Sequence, residues 1–359
     1  SENIPNKDTG YVVEKIVCDN NAVGKWDYDN WGITLTNLSK KNKCNIHFRK
    51  GVKLADTINL VDTTDKCPTL NDDGTVNITG IESENSLLCS APDNYGISYY
   101  YRGNVQNNYV KFANFYWRIV RINGDGSIRV VYDGTVAHEN GDESEDRLIG
   151  LSSFNESVDD NVYVGYMYGT LGSSTYEETH ANTNDSTVKT YVDNWYENNI
   201  KGTDYEEYIV DNIFCNSRAI DSKKYNGYGG NATEYNENAW NEISLMCLNK
   251  NDSLGAKKNN YTNGSLKYSI SLMNFYETVL AGGHWSENKQ FYLYIKSFFW
   301  TLTAWKFDGV YARVRGTGTV ASNALQVNTA TAGVRPVINL KPNSLKSGDG
   351  TINNPYTVE

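Results

Sequence analysis

Residues 109–132 read YVKFANFYWRIVRINGDGSIRVVY, which is two runs of β-branched and aromatic residues around the turn Asn123-Gly-Asp-Gly126. An Asn-Gly or Asp-Gly pair between two such runs is a strong short-range signal of a β-hairpin. We therefore predict that Tyr109–Arg121 and Ser127–Tyr132 are antiparallel neighbours, inside a large unit that starts near Tyr99.

The end of the same unit is also rich in strand-forming residues. Short runs of this kind recur at 292–295, 298–302, 311–315, 325–327 and 334–340. Their composition and length are typical of β-strands.

Two segments between the hairpin and these runs have helical spacing. Ser186 precedes Val188, Tyr191, Val192 and Trp195, which is a capped amphipathic pattern. The capping box Thr203-x-x-Glu206 precedes a second set of apolar residues, namely Tyr205, Tyr208, Ile209 and Ile213. Strands at both ends with two helices between them predict an α+β domain whose terminal strands meet in an antiparallel sheet.

The chain divides into three parts on this basis. Residues 1–50 predict a small N-terminal β domain, because Tyr11–Val17 and Gly32–Asn37 alternate with a period of two. Residues 51–98 have many turn residues and predict an irregular connecting segment held by its own disulfide. Residues 99–359 form the large domain.

Composition excludes several kinds of partner. The 359 residues include 33 Lys+Arg and 43 Asp+Glu, which gives a net charge of −10. Nucleic acid or an anionic membrane would repel such a molecule at long range, so neither is expected as a partner. The chain has no apolar run near 18 residues, and we expect no membrane span.

Six cysteines suggest an oxidising compartment. Six thiols permit 15 pairings, which the sequence alone does not resolve. We favour pairing in sequence order, because each pair then closes a short loop: Cys18 with Cys44, Cys67 with Cys89, and Cys215 with Cys247. The even count, the absence of Cys-x-x-Cys and a chain that begins at Ser1 favour a secreted protein over a cytosolic one with free thiols.

No catalytic or cofactor motif stands out. The chain has no Gly-x-Ser-x-Gly, no His-Glu-x-x-His and no Walker loop. Gly316-Thr-Gly-Thr-Val-Ala321 matches a dinucleotide fingerprint but is not followed by a helical pattern, so a hairpin turn is favoured. Asp27-x-Asp29-x-x-Gly32 is better explained as a surface turn than as a calcium loop. The four histidines are scattered, and we expect no metal, no cofactor and no enzymatic activity.

Several motifs resemble one family. They are GVRPVINL (333–340), FWTLT (299–303), GVYARV (309–314), YYYRG (99–103), VKFA (110–113), WRIVRING (117–124) and GYMYG (165–169). Together they resemble a largely uncharacterised family of secreted bacterial surface proteins, abundant in gut-type Gram-positive lineages. Its C-terminal module looks like a C-type-lectin-like fold, similar to the variable proteins of diversity-generating retroelements. The resemblance spans about residues 10–359, although Trp300-Thr-Leu-Thr-Ala304 departs from the usual Trp-Thr-Met-Ser-Pro.

The resemblance implies a ligand-binding face at residues 300–335 on a fixed scaffold. The scaffold would be Phe299, Ala312, Val314, Val327, Val334, Val337 and Leu340. The residues expected to point outward or to lie in loops, and to bind a protein or glycan ligand, are Trp305, Lys306, Asp308, Tyr311, Arg313, Arg315, Asn323, Leu325, Asn328, Thr329 and Thr331. Aromatic, Arg and Asn side chains on rigid elements are typical of binding faces. The alternative is an ordinary polar strand face.

We thus expect an extracellular ligand-binding protein, and two other functions remain open. One is a subunit of a surface filament or layer, assembled head to tail through opposite charges. The basic residues would be Lys40, Lys41, Lys43, Arg49, Lys50 and Lys53, and the acidic loop 139–146 would supply Glu139, Asp142, Glu143, Glu145 and Asp146. The other is a hydrolase that uses two carboxylates of this loop, one with a raised pKa.

Overall fold

The protein forms two compact units. The computed structural model describes residues 11–27, 32–39, 41–50, 67–79, 86–220, 227–235, 242–283, 287–318, 323–342 and 344–358. One unit comprises Ser1–Leu60 with Asn343–Ser347, and the other comprises Val61–Pro342 with Gly348–Glu359.

The described residues of the first unit include two antiparallel strand pairs. Its first strands are β1 (Tyr11–Cys18), β2 (Val23–Asp27), β3 (Gly32–Thr36) and β4 (Cys44–Lys50). Strand β1 pairs with β4 and β2 pairs with β3, both antiparallel. Cys18 and Cys44 are direct cross-strand partners and are joined by a disulfide.

The remaining strands that the structure describes are numbered onward in chain order. They are β5 (Thr69–Leu70), β6 (Val76–Asn77), β7 (Leu87–Asp93), β8 (Gly96–Arg102), β9 (Tyr109–Phe112), β10 (Phe115–Ile122), β11 (Ile128–Gly134), β12 (Gly150–Leu151), β13 (Met167–Tyr168), β14 (Asn184–Asp185), β15 (Phe214–Cys215), β16 (Thr233–Glu234), β17 (Ser253–Leu254), β18 (Ile270–Leu272), β19 (Phe299–Phe307), β20 (Ala312–Thr317), β21 (Asn323–Gln326), β22 (Gly333–Val334), β23 (Pro336–Leu340), β24 (Leu345–Ser347) and β25 (Tyr356–Val358).

The helices are short except for one. The α-helices among the described residues are α1 (Tyr176–Thr179), α2 (Thr187–Asn199) and α3 (Phe275–Leu280). Single 3-10 turns occupy Glu145–Arg147, Asn161–Val164 and Asp204–Tyr208. None of the described helices combines the length and the apolar character needed to cross a lipid bilayer.

The hairpin quoted first is the centre of the main sheet in the larger unit. Strands β10 and β11 pair antiparallel on either side of Asn123–Gly126, and the sheet order runs β18-β23-β11-β10-β9-β25, with β8 on β10 and β7 on β8. Strand β23 pairs with β11, so the beginning and end of the unit meet as predicted. Strand β25 lies parallel to β9, which makes the sheet mixed. The α+β class is therefore confirmed.

A second sheet carries the predicted binding region. Its order is β12-β22-β19-β20-β21, and β16 pairs with β19. The scaffold prediction is confirmed, because every residue named for it is at most 1% exposed: Phe299, Ala312, Val314, Val327, Val334, Val337 and Leu340. Gly316 lies in β20 opposite Asn323 of the antiparallel neighbour β21, and residues 319–322, which include the end of the Gly316–Ala321 motif, lie outside the described residues.

One predicted helix is confirmed and the other is wrong. Helix α2 begins after Ser186, whose side chain accepts a hydrogen bond from the Lys189 N–H. After Thr203 the chain makes only the 3-10 turn, and the Thr203 hydroxyl donates to the Ile200 carbonyl instead of capping. The chain then becomes extended, because Ile209 forms a β-bridge with Leu340. Pairing with the sheet replaces the helix.

The predicted boundary at residues 98 and 99 also differs from the structure. Strand β7 pairs with β8 along its length, so its residues belong to the main sheet. The described part of the predicted connecting segment is therefore in the larger unit, where a disulfide joins Cys67 to Cys89. The third disulfide joins Cys215 to Cys247, and all three predicted pairs are confirmed.

Candidate functional site

A β-bulge shapes the middle of the predicted binding region. Ala304 lies opposite Val314, but Lys306 lies opposite Arg313, so Trp305 is an extra residue in β19. A bulge bends the strand and re-aims side chains next to it. As a result, Trp305 and Lys306 are both half-buried, whereas Ala304 is fully buried.

The turn that follows is held by one carboxylate. Asp308 Oδ1 accepts the backbone N–H groups of Val310 (3.1 Å) and Tyr311 (2.8 Å), and Oδ2 lies 3.3 Å from Arg313 Nη2. Burial alone would raise the pKa of Asp308, but these donors lower it. The anion therefore fixes the turn and leaves Tyr311 40% exposed beside the half-buried Arg313.

Two cations flank the Trp305 ring. Lys306 Nζ lies 4.6 Å and Arg315 Cζ lies 5.1 Å from the ring centroid. Cations at these distances are attracted by the negative face of the indole. The ring therefore has two cationic neighbours, the half-buried Lys306 and the buried Arg315.

The prediction that Arg315 points outward is wrong. Its guanidinium also lies 5.5 Å from the ring centroid of Phe275, and the residue is only 7% exposed. Helix α3 packs on β20 and covers this end of the strand. Arg315 thus contacts the Trp305 ring from the interior of the protein.

The other predicted site residues lie on β21 and after it. Leu325 is half-buried opposite Val314. Asn328 and Thr331 are exposed and Thr329 is half-buried, in the turn after β21. Asn323 begins β21, but its side chain lies outside the described residues. The structure thus brings together Trp305, Lys306, Asp308, Tyr311 and Arg313, and places the others at the edge of the sheet.

Sequence patterns missed two neighbours of this group. Glu234 in β16 lies opposite Lys306, and Gln326 in β21 lies opposite Arg313. One row of polar residues therefore crosses four strands: Glu234, Lys306, Arg313 and Gln326. Glu234 comes from a stretch dense in Asn and Gly whose pattern gave no sign of a strand.

The acidic loop 139–146 uses its charges within the chain. The two ring nitrogens of His138 lie 3.0 Å from Asp142 Oδ2 and 2.9 Å from Asp146 Oδ2, and Glu143 lies 2.9 Å from Lys289 Nζ. Hydrogen bonds from His138 and Lys289 hold the pKa values of Asp142 and Glu143 below their usual range. Neither carboxyl supplies the raised pKa that the hydrolase hypothesis needs.

The predicted basic patch is described only in part. Lys41 and Lys43 are exposed, whereas Lys40, Lys53 and the side chains of Arg49 and Lys50 lie outside the described residues. Several carboxylates of the acidic loop already have partners within the chain, so fewer of its charges remain for binding to a second copy. Head-to-tail assembly stays a prediction.

Metal ligands do not cluster in the part of the chain that the structure describes: no three His, Cys, Asp or Glu side chains are placed to share an ion.

In comparisons with known proteins, no family model matches the chain, and no curated protein or solved structure is significantly similar to it.

Proposed function

We propose that this is a secreted or surface-displayed bacterial protein that binds a protein or glycan ligand. Its C-terminal module would be a C-type-lectin-like scaffold. The binding surface, called the recognition face below, consists of Trp305, Lys306, Asp308, Tyr311 and Arg313. Three disulfides support an extracellular location, because such bonds persist in oxidising compartments.

The β19 bulge is the observation that carries this proposal. A regular strand would place Trp305 and Lys306 on opposite faces, whereas the bulge leaves both half-buried and side by side. The buried side of the same strands, including Ala304, Phe307 and Ala312, is at most 1% exposed. The recognition face therefore rests on a packed sheet, and a ligand would bind without ordering a loop first.

The chemistry of the face fits a ligand with polar and apolar parts. Indole and phenol rings contribute large contact areas at a low entropy cost, and Arg and Lys add charge-assisted hydrogen bonds. Asp308 is already bonded to Arg313 and to the turn, so it positions its neighbours. We expect Trp305 and Tyr311 to contribute most of the binding energy.

Binding to a glycan array and to extracellular proteins tests the proposal. Trp305→Ala and Tyr311→Ala are expected to weaken binding at least about tenfold each, as for central aromatic residues of an interface. Tyr99→Ala is the matched control, because Tyr99 is 39% exposed on β8 and Tyr311 is 40% exposed. Equal binding by wild type and both recognition-face variants would refute the proposal.

A further inference from the structure

A cavity of about 230 Å³ lies within the larger unit. Its walls come from the β7–β8 turn, from β10 and β11, from residues 212–219 and 244–252, and from the start of α3. No residue of the recognition face lines it. The cavity is thus a separate feature, and its interpretation does not depend on the proposed function.

Buried ion pairs form the polar part of the lining. Arg121 Nη1 lies 2.8 Å from Asp93 Oδ2, and Arg121 Nε lies 2.9 Å from Glu277 Oε1. Arg129 Nη1 lies 2.6 Å from the same Glu277 oxygen. Two guanidinium groups thus meet two carboxylates, and the charge of this part of the lining is balanced.

Arg121 nevertheless keeps donors for a ligand. Its Nε and Nη1 atoms bond to Glu277, Asp93 and Ser98, and Nη2 has no hydrogen-bond partner among the residues that the structure describes. The Nη2 atom is also not completely enclosed by other protein atoms. Since Arg121 is only 4% exposed and lines the cavity, the accessible surface of Nη2 opens into it.

The rest of the lining combines apolar residues with polar ones such as Asn94, Asn212 and Ser244. Ile213, Met246 and Tyr276 line it together with the Cys215–Cys247 disulfide. At its edge Leu248 is 85% exposed. Tyr95, another lining residue, packs on Tyr261 with ring centroids 4.4 Å apart. An apolar body would therefore be covered on several sides.

We infer that this cavity is a binding site for a small uncharged ligand that carries a carbonyl oxygen on an apolar, ring-sized body. The carbonyl oxygen accepts from Arg121 Nη2, and the ring packs against Ile213, Met246 and Tyr276. An engineered cavity of about 150 Å³ holds benzene, so about 230 Å³ accommodates a ring with a short amide substituent.

The charges of the lining select against an anionic ligand, because three carboxylates (Asp93, Asp252 and Glu277) line the cavity with only two guanidinium groups, Arg121 and Arg129. Asp252 is already paired with Arg218. A carboxylate would be the third anion beside Arg121, after Asp93 and Glu277, and it would have to give up its water. Glu277 is also poorly suited to act as a general acid. Burial would raise the pKa of Glu277, but Arg129 and Arg121 lower it to about 2, so it holds no proton to donate at neutral pH.

Isothermal titration with three matched probes tests the inference. Acetanilide carries the amide carbonyl, N-ethylaniline has a methylene in its place, and phenylacetate carries a carboxylate. A hydrogen bond to a charged donor contributes about 1.5–3 kcal/mol, so acetanilide is expected to bind at least about tenfold tighter than N-ethylaniline. Phenylacetate is expected to bind at least about tenfold more weakly than acetanilide.

The location is tested by a substitution that fills the cavity without disturbing the ion pairs. Ala219 is exposed and lines the cavity, and Ala219→Trp is expected to weaken acetanilide binding at least about tenfold. Val136→Trp is the control, because Val136 is exposed and is not part of the lining. Near-UV circular dichroism verifies that both variants fold. Equal binding by A219W and wild type, or equal affinities for acetanilide and either other probe, would overturn the inference.

Discussion

Glu277 links three parts of the larger unit, and its removal is the sharpest test of what holds them together. It lies in the first turn of α3, where Oε2 accepts the Asn274 N–H and closes a capping box. Its other oxygen accepts from Arg121 in β10 and Arg129 in β11. Glu277→Gln keeps the size of the side chain but removes the carboxylate that pairs with Arg129, and it leaves Arg121 paired with Asp93 alone.

Two lines of reasoning give a similar value for the loss of unfolding free energy in E277Q. Removing one partner of a buried ion pair typically costs about 3–5 kcal/mol, because the remaining charge is left uncompensated. Independently, the folded state lowers the pKa of Glu277 from 4.5 to about 2. A shift of that size corresponds to roughly 3 kcal/mol of stability at pH 7. We therefore expect E277Q to lower the free energy of unfolding by about 3 kcal/mol.

The stability difference between wild type and E277Q is expected to depend on pH. Because the folded pKa lies below the unfolded value, the contribution of Glu277 is complete above about pH 5 and is lost as the pH falls through about 2. Urea unfolding of wild type and E277Q, followed by near-UV circular dichroism from pH 7 to pH 2, should show two curves that converge at low pH. Glu197→Gln is the control, since Glu197 makes an exposed pair with Lys267, and it should leave stability unchanged. A difference below about 1 kcal/mol at pH 7, or one independent of pH, would refute this reasoning.

Two further predictions concern covalent and aromatic anchors of the same unit. Replacing both Cys215 and Cys247 by Ala opens a loop with a sequence separation of 32 residues. The chain-entropy model predicts that the free energy of unfolding falls by about 3–4 kcal/mol. An unchanged urea midpoint under oxidising conditions would contradict this prediction. Trp300→Phe removes a fully buried indole whose Nε1 donates to the Ser152 carbonyl at 2.8 Å, and we expect a loss of about 1–3 kcal/mol in unfolding free energy. Equal stability of W300F and wild type would show that the carbonyl finds another donor.

Local patterns predicted the parts of the fold that depend on neighbouring residues. The turn Asn123–Gly126 predicts the β10–β11 hairpin because its residues tolerate the backbone that such a turn needs, and Gly126 has φ +82°. Sequential disulfide pairing succeeded for a similar reason, since each pair joins strands or loops that are close along the chain. Strands β20 and β23 were visible as short strand-type runs, although nearly all of their residues are buried instead of every second one.

Long-range pairing explains where prediction from sequence failed. The Thr203–Glu206 capping box is a sound local helix signal, but the Ile209–Leu340 bridge joins positions 131 residues apart and competes with the helix. The partnership of β7 with the main sheet is equally invisible in residues 86–98 themselves. A capping box stabilises by about 1 kcal/mol, which a sheet with a buried face readily exceeds.

The candidate site shows the same limit at the scale of single side chains. Alternation predicts that Arg313 and Arg315 share a face, and it treats both as solvent-facing. What separates them is Phe275, which covers Arg315 from a helix about forty residues away in sequence. The bulge at Trp305 is subtler still, because one inserted residue changes which side chains point outward beyond it. Residue type predicted that Trp305 and Lys306 belong to the surface, but only the register of β19 against β20 explains why adjacent residues can lie there together. A deletion of Trp305 would therefore do more than remove a ring, because it would also remove the bulge and leave Ala304 and Lys306 as consecutive residues opposite Val314 and Arg313. We expect regular pairing of β19 with β20 in the deletion variant, whereas Trp305→Ala keeps the bulge and leaves the fold intact.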